Sequence, residues 1–64
     1  MPLIQIMLLE GRDGQKKQRL IEEVTIAVSR TLEVDPTSIR VILQEIPPAH
    51  WAVGGVPINK RKTV

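Results

Sequence analysis

Two arginines are the side chains of this 64-residue chain whose type and position best fit binding chemistry. Arg40 stands inside an apolar stretch between Ile39 and Val41, and arginine is rarely buried without an anionic partner. Arg12 follows an earlier apolar stretch, in the loop sequence EGRDG. If the two guanidinium groups converge, they form a receptor for a small carboxylate-bearing substrate. Taken singly, each has a simpler interpretation as an arginine that meets water, Arg40 on an edge strand and Arg12 in a loop.

The other chemical candidates are His50, Trp51 and Pro2. His50 is the sole histidine and the chain has no cysteine, so no metal site is predicted, and neither serine has a base at a useful spacing. A solvated loop position is the simpler interpretation of His50, while Trp51, the sole aromatic residue, can be either core or the wall of a site. Pro2 lacks the N–H that a sheet needs, which the first position of a strand tolerates. Because Pro2 directly follows Met1, a second interpretation is that its nitrogen has a chemical role.

Three segments of distinct periodicity must position these residues. Residues 3–9 are a short apolar run, which fits a strand buried on both faces. The next segment repeats apolar residues at helical spacing over about five turns, with Asp13 as predicted N-cap and Asp35-Pro36 marking the end. Its apolar face consists of Leu20, Ile21, Val24, Ala27, Val28, Thr31 and Leu32. Residues 39–46 are rich in β-branched side chains, which predicts a second strand, and Pro47-Pro48 marks the end of that strand.

A strand, a helix and a strand within about 45 residues make a βαβ unit, whose strands are expected to be parallel with a right-handed crossover. Gly54-Gly55 lies between two short apolar runs, which indicates a small hairpin. We therefore predict one α+β domain over residues 1–64, a βαβ unit followed by a short C-terminal β-hairpin. One helix covers only one face of two strands, so either the Leu3/Met7/Leu9 set or the Ile4/Ile6/Leu8 set stays open. Such a patch is an association surface, and we expect an obligate oligomer.

Composition limits the partners and the compartment. No stretch approaches the roughly 20 apolar residues of a membrane span, and no signal peptide is recognisable, so a cytoplasmic protein without a membrane partner is expected. A net charge of +2 is too mildly basic to predict a nucleic-acid partner. One alternative of a different class is a small dimeric DNA-binding protein of the ribbon-helix type, suggested by the basic tail Lys60-Arg61-Lys62. Against it, a strand closed by prolines stands where that fold needs a second helix.

The motifs of the chain occur in a specific order: MP, an apolar strand, LLEGR, QKKQRLIEEVTIAVSRTL and SIRVILQEIPPAHWAVGG. Their joint spacing resembles the 4-oxalocrotonate tautomerase family from Pro2 to about Gly55, without gaps. The resemblance implies a homohexamer, a trimer of dimers, with sites shared between subunits. It also implies an isomerase of small unsaturated 2-hydroxy or 2-oxo acids such as 2-hydroxymuconate, which needs no metal or organic cofactor and serves the catabolism of aromatic hydrocarbons.

The same resemblance assigns roles to residues. In that family the initiator methionine is removed and the new N-terminal proline is the general base, which corresponds to Pro2. The catalytic and substrate-binding arginines fall on Arg12 and Arg40, and the apolar wall falls on Leu9 and Trp51, the latter commonly a phenylalanine. Apolar burial and nearby positive charge would lower the pKa of the Pro2 amine, while the arginines stabilise the developing dienolate. Relatives that hydrate or dehalogenate unsaturated acids with the same proline are the alternative among enzymes.

Overall fold

The computed structural model describes residues 2–60, and within them a βαβ unit precedes a small hairpin. The elements are β1 (Leu3–Leu9), α1 (Gly14–Leu32), β2 (Arg40–Ile46), β3 (Ala52–Val53) and β4 (Val56–Pro57), with 3-10 turns at Pro36–Ser38, Pro48–His50 and Ile58–Lys60. Strands β1 and β2 are parallel, and β3 and β4 are antiparallel. The predicted fold class, strand pair and hairpin are therefore confirmed. Two predictions concern residues outside the described range: the removal of Met1, and most of the basic tail, namely Arg61 and Lys62.

Helix α1 begins as the sequence predicts and ends earlier than expected. Asp13 is the N-cap, and its carboxylate accepts a 2.8 Å hydrogen bond from a backbone N–H of the first turn. At the other end Glu33 adopts a left-handed conformation, with φ 57° and ψ 49°, and its N–H donates to the Ser29 carbonyl. The helix thus stops before the predicted Asp35-Pro36 boundary, and Asp35 instead caps the 3-10 turn that leads into β2.

One face of the two-stranded sheet packs against α1. Alternate residues of both strands point to this side and are half-buried or buried: Ile4, Ile6, Leu8, Val41 and Leu43. Among residues 2–60, Leu8 and Ile39 are the apolar side chains with less than a tenth of their surface exposed. The core of a single chain is therefore thin.

The opposite side of the sheet, which we call the open face, is uncovered. Its exposed members are Leu3, Gln5, Met7, Arg40, Ile42 and Gln44. Leu3, Met7 and Ile42 are 62%, 56% and 48% exposed, and the Gln5 amide donates to Gln44 Oε1 at 3.0 Å. The expectation that β1 is buried on both faces is wrong for the chain by itself, because one helix covers only one side. The prediction that one apolar set stays open is confirmed for Leu3 and Met7, whereas Leu9, the third member of that set, is half-buried.

The topology also decides between the two classes of protein considered from the sequence. After α1 the described chain forms β2 and the hairpin, and no second α-helix follows within residues 2–60. The ribbon-helix alternative, which requires that helix, is therefore wrong. No helix within this part of the chain is both long and apolar enough to cross a membrane.

Candidate active site

Pro2 and Arg40 lie at the same end of the parallel strand pair. The backbone N–H of Arg40 donates to the Pro2 carbonyl at 3.0 Å, directly before β1 begins at Leu3. Proline is tolerated here because the first position of a strand does not require its missing N–H. The strand register therefore places the candidate base beside the backbone of a candidate substrate-binding arginine.

The side chain of Arg40 is exposed, as its water-facing interpretation predicted. Its Nη1 donates to the Thr37 carbonyl at 3.1 Å, and the remaining guanidinium N–H groups keep their donor capacity. Within residues 2–60 the sole ion pair joins Lys17 and Glu45, at 3.1 Å. No carboxylate of the described chain therefore neutralises Arg40, which leaves its charge available to an anionic ligand.

Arg12 lies at the other end of β1, behind a turn that depends on glycine. Gly11 has a φ of +119°, a conformation that side-chain-bearing residues rarely adopt, and it redirects the chain away from the sheet. Arg12 is exposed, and its Nη1 donates to the Leu9 carbonyl at 3.4 Å. Its guanidinium therefore lies at the end of β1, next to the half-buried Leu9.

Trp51 stands at this same end of the sheet, immediately after the turn that follows β2. It is half-buried, and with Met7, Ile46 and His50 it lines a recess of about 250 Å³. Its carbonyl accepts a 2.8 Å hydrogen bond from Ile58 N, which fixes the backbone of the residue. Trp51 thus forms a wall of a recess, and the exposed His50 fits its simpler interpretation as a solvated loop histidine.

The predicted site residues are brought together in two groups, one at each end of the sheet. Pro2 and Arg40 form one group, and Leu9, Arg12 and Trp51 form the other. Strand β1 runs from Leu3 at the first group to Leu9 at the second, and its six rises of about 3.3 Å each separate the Pro2 end from the Arg12 end by about 20 Å. A single chain therefore does not enclose one substrate among all five residues.

Sequence reasoning missed Thr37, which contacts Arg40, and the part of Asp35, which contacts Thr37. The Asp35 carboxylate accepts hydrogen bonds from Thr37 Oγ1 at 2.7 Å and from Thr37 N at 2.8 Å. Both hydrogen bonds lower the pKa of Asp35, and the one from the hydroxyl has the larger effect. Asp35-Pro36 was used to predict the end of α1, but an aspartate before proline is also a recognisable signal for the start of a helical turn. Among the described residues, no cluster of three or more histidine or carboxylate side chains could hold a metal ion.

Residues 2–61 match the family model described as "Tautomerase enzyme". A 2-hydroxymuconate tautomerase from Stutzerimonas stutzeri is 49% identical over 55 residues, which are 86% of this chain and 87% of that protein. Among solved structures, TomN, a 4-oxalocrotonate tautomerase homologue in the tomaymycin biosynthetic pathway, has a TM-score of 0.92 at 41% identity, covering 98% of this chain and 97% of TomN. A heterohexamer 4-oxalocrotonate tautomerase from Chloroflexus aurantiacus has a TM-score of 0.89 at 37% identity, covering 94% of this chain and 97% of that one.

Proposed function

Because the chain belongs to the tautomerase family, we propose that it is a cofactor-independent tautomerase of small unsaturated 2-hydroxy and 2-oxo acids. The observation that carries the proposal is the pair Arg12 and Arg40, exposed guanidiniums that each contact one backbone carbonyl and no carboxylate of the described chain. Such groups can bind the carboxylate and the 2-oxygen of the substrate through charge-assisted hydrogen bonds. The 2-hydroxymuconate tautomerase among the relatives supports this substrate class. We propose in addition that the chain acts in the cytoplasm, in the breakdown of aromatic compounds.

In the proposed mechanism the Pro2 amine is the general base. A proline nitrogen within a peptide bond is an amide without basicity, so Met1 must first be removed. The resulting secondary amine takes a proton from the substrate, and the protonated amine returns it to a different carbon, which moves the double bond into conjugation with the ketone. Arg40 stabilises the negative charge that develops on the 2-oxygen, and Arg12 holds the more distant carboxylate. Leu9 and Trp51 supply an apolar wall, which disfavours the charged amine and lowers its pKa.

The active form in this proposal is a homohexamer, a trimer of dimers in which each site takes residues from more than one chain. Two observations support it: the separation of the Pro2 end from the Arg12 end of β1 by about 20 Å, and the largely apolar open face. The heterohexamer from Chloroflexus aurantiacus supports assembly of six chains in this family.

An assay of the methionine-cleaved protein tests the proposed activity. We expect turnover of 2-hydroxymuconate or phenylenolpyruvate with no added metal or cofactor, followed by ultraviolet absorbance. Tautomerisation leaves the product mass equal to that of the substrate, whereas the alternative hydratase activity adds one water, so mass spectrometry of the product distinguishes them. A product heavier by one water, or no turnover of either acid, would contradict the proposal.

The identity of the base is tested by comparing three forms of the N-terminus. The rate of the cleaved protein should rise with pH, with an apparent pKa below the roughly 7.7–8.0 of an ordinary chain terminus. Pro2→Ala keeps a primary amine in nearly the same place, so it should be impaired and still active. A form that retains Met1 should be far less active than Pro2→Ala, because its Pro2 nitrogen is an amide. Full activity in a preparation whose intact mass includes Met1 would refute the mechanism.

A further inference from the structure

The 3-10 turn between α1 and β2 is held by a dense set of short hydrogen bonds. The Asp35 side chain accepts from Thr37 Oγ1 and Thr37 N, at 2.7 and 2.8 Å. The Asp35 carbonyl accepts from Ser38 Oγ and Ser38 N, at 2.7 and 2.9 Å. Pro36 occupies the first position of the turn, where its fixed φ suits the conformation. Thr37 is therefore held on both sides: the Asp35 side chain binds its N–H and hydroxyl, and the Asp35 carbonyl binds the Ser38 N–H, which shares a peptide group with the Thr37 carbonyl.

The Thr37 carbonyl, whose direction this turn determines, is the one that accepts from Arg40 Nη1 at 3.1 Å. Arg40 is exposed, and an unanchored arginine on a surface samples many rotamers. The backbone of Arg40 is fixed separately, by its N–H bond to the Pro2 carbonyl at 3.0 Å. The backbone of Arg40 is thus held by the strand pair, and its guanidinium is held by the turn.

From these contacts we propose that Asp35 and Thr37 are positioning residues, which hold the Arg40 guanidinium at a fixed place at the Pro2 end of the sheet. Its consequence for catalysis rests on the function proposed above, in which Arg40 stabilises developing charge. A preorganised donor is effective because it needs no reorganisation when the charge appears, and a misplaced one loses much of that effect. The carboxylate of Asp35 acts here through Thr37 and Arg40 and does not touch the substrate.

Steady-state kinetics of three variants test the proposal. Asp35→Ala should lower kcat about tenfold with KM changed less than about twofold, since a misdirected donor mainly weakens stabilisation of the transition state. Asp35→Asn keeps an oxygen that can accept from Thr37, so its kcat should stay within about twofold of wild type. Ser29→Ala is the matched control, because it removes a 2.7 Å side-chain hydrogen bond to the Val34 carbonyl in the same connection without touching Arg40. Its rates should equal those of wild type.

The decisive comparison is a double-mutant cycle with Arg40→Ala. If Asp35 acts only through Arg40, Asp35→Ala should have no further effect on kcat once Arg40 is alanine. An equal loss in both backgrounds would mean that Asp35 only supports the fold, and a wild-type kcat in Asp35→Ala would equally overturn the proposal.

A spectroscopic measurement separates failure of this proposal from failure of the proposed function. The guanidinium N–H signals of Arg40 in a ¹⁵N-labelled sample report its hydrogen bond to Thr37 without any turnover. We expect Asp35→Ala to average or broaden these signals, while Ser29→Ala and Asp35→Asn retain them. Unchanged signals in Asp35→Ala would refute the positioning role, whatever the enzyme catalyses. Full activity in Arg40→Ala would instead refute the catalytic part assigned to Arg40.

Discussion

Replacing Ile42 by lysine tests whether another copy of the chain covers the open face. Ile42 lies in the middle of β2 and is 48% exposed in the single chain, so a lysine there can extend its amine into water. The fold of one chain should therefore tolerate the change. In an assembly that covers this face, the ammonium group would lose its water without gaining a carboxylate from the open face, whose polar members are Gln5, Arg40 and Gln44.

The size of the effect follows from the exposed fractions. Roughly half of each of Leu3, Met7 and Ile42 is exposed, and fully burying such a side chain contributes about 1.5–3 kcal/mol. Covering them should stabilise the assembly by about 1 kcal/mol each, or about 3 kcal/mol per chain. Ile42→Lys removes about a third of this and adds the cost of burying an unpaired charge, which is several kcal/mol. A net loss of about 3 kcal/mol or more weakens association about 100-fold or more.

Sedimentation velocity and kcat/KM, measured over the same dilution series, follow assembly and activity together. Ile42→Lys should sediment as smaller species, and its activity should fall in step with the loss of the assembly. Gln18→Lys is the matched control, because it adds the same charge on the exposed side of α1, where Glu22 already accepts a hydrogen bond from residue 18 at 3.3 Å. That variant should sediment and react like wild type.

Two outcomes would refute the reasoning. An Ile42→Lys protein that sediments like wild type would mean that the open face stays in water in the assembled protein. A wild-type protein that sediments as a monomer and keeps full activity on dilution would mean that one chain forms a complete site. The second outcome would also contradict the distance argument, in which about 20 Å of β1 separates Pro2 from Arg12.

Three further predictions concern single residues. Arg40→Ala should lower kcat and kcat/KM together by about 10²-fold, whereas Arg12→Ala should act more through KM, and swapped phenotypes in steady-state kinetics would exchange their roles. The Cβ added by Gly11→Ala meets no atom within 4 Å, so the substitution should lower the free energy of urea unfolding only through backbone strain, by about 1–3 kcal/mol. It should also raise KM, because the turn before Arg12 shifts. Glu33→Gly should raise the free energy of unfolding by about 1 kcal/mol at fixed protein concentration, because glycine adopts φ 57° without strain, and a lower stability would contradict this.

The order of elements could be predicted because its signals are local. Periodicity identified β1, α1 and β2, and Asp13 and Gly54-Gly55 gave the helix start and the hairpin turn. The end of α1 could not be predicted, since a left-handed cap is usually glycine and Glu33 carries no such signal. Burial of β1 on both faces was wrong for a similar reason: an apolar run identifies residues that avoid water, and it does not say whether a helix or another chain covers them.

The candidate site has a different kind of limit, because in the proposed assembly it is completed by a second chain. Residue type marked Arg12 and Arg40 as a pair, but the parallel register fixes them at opposite ends of the sheet in one chain. If two βαβ units associate about a two-fold axis with their strands antiparallel, the Arg12 and Trp51 end of one chain lies beside the Pro2 end of the other. The strand length that separates the groups within a chain then brings complementary groups together between chains. In such an arrangement a change that breaks the assembly also abolishes activity. Neither the Pro2 and Arg40 group nor the Leu9, Arg12 and Trp51 group predicts this when one chain is considered alone.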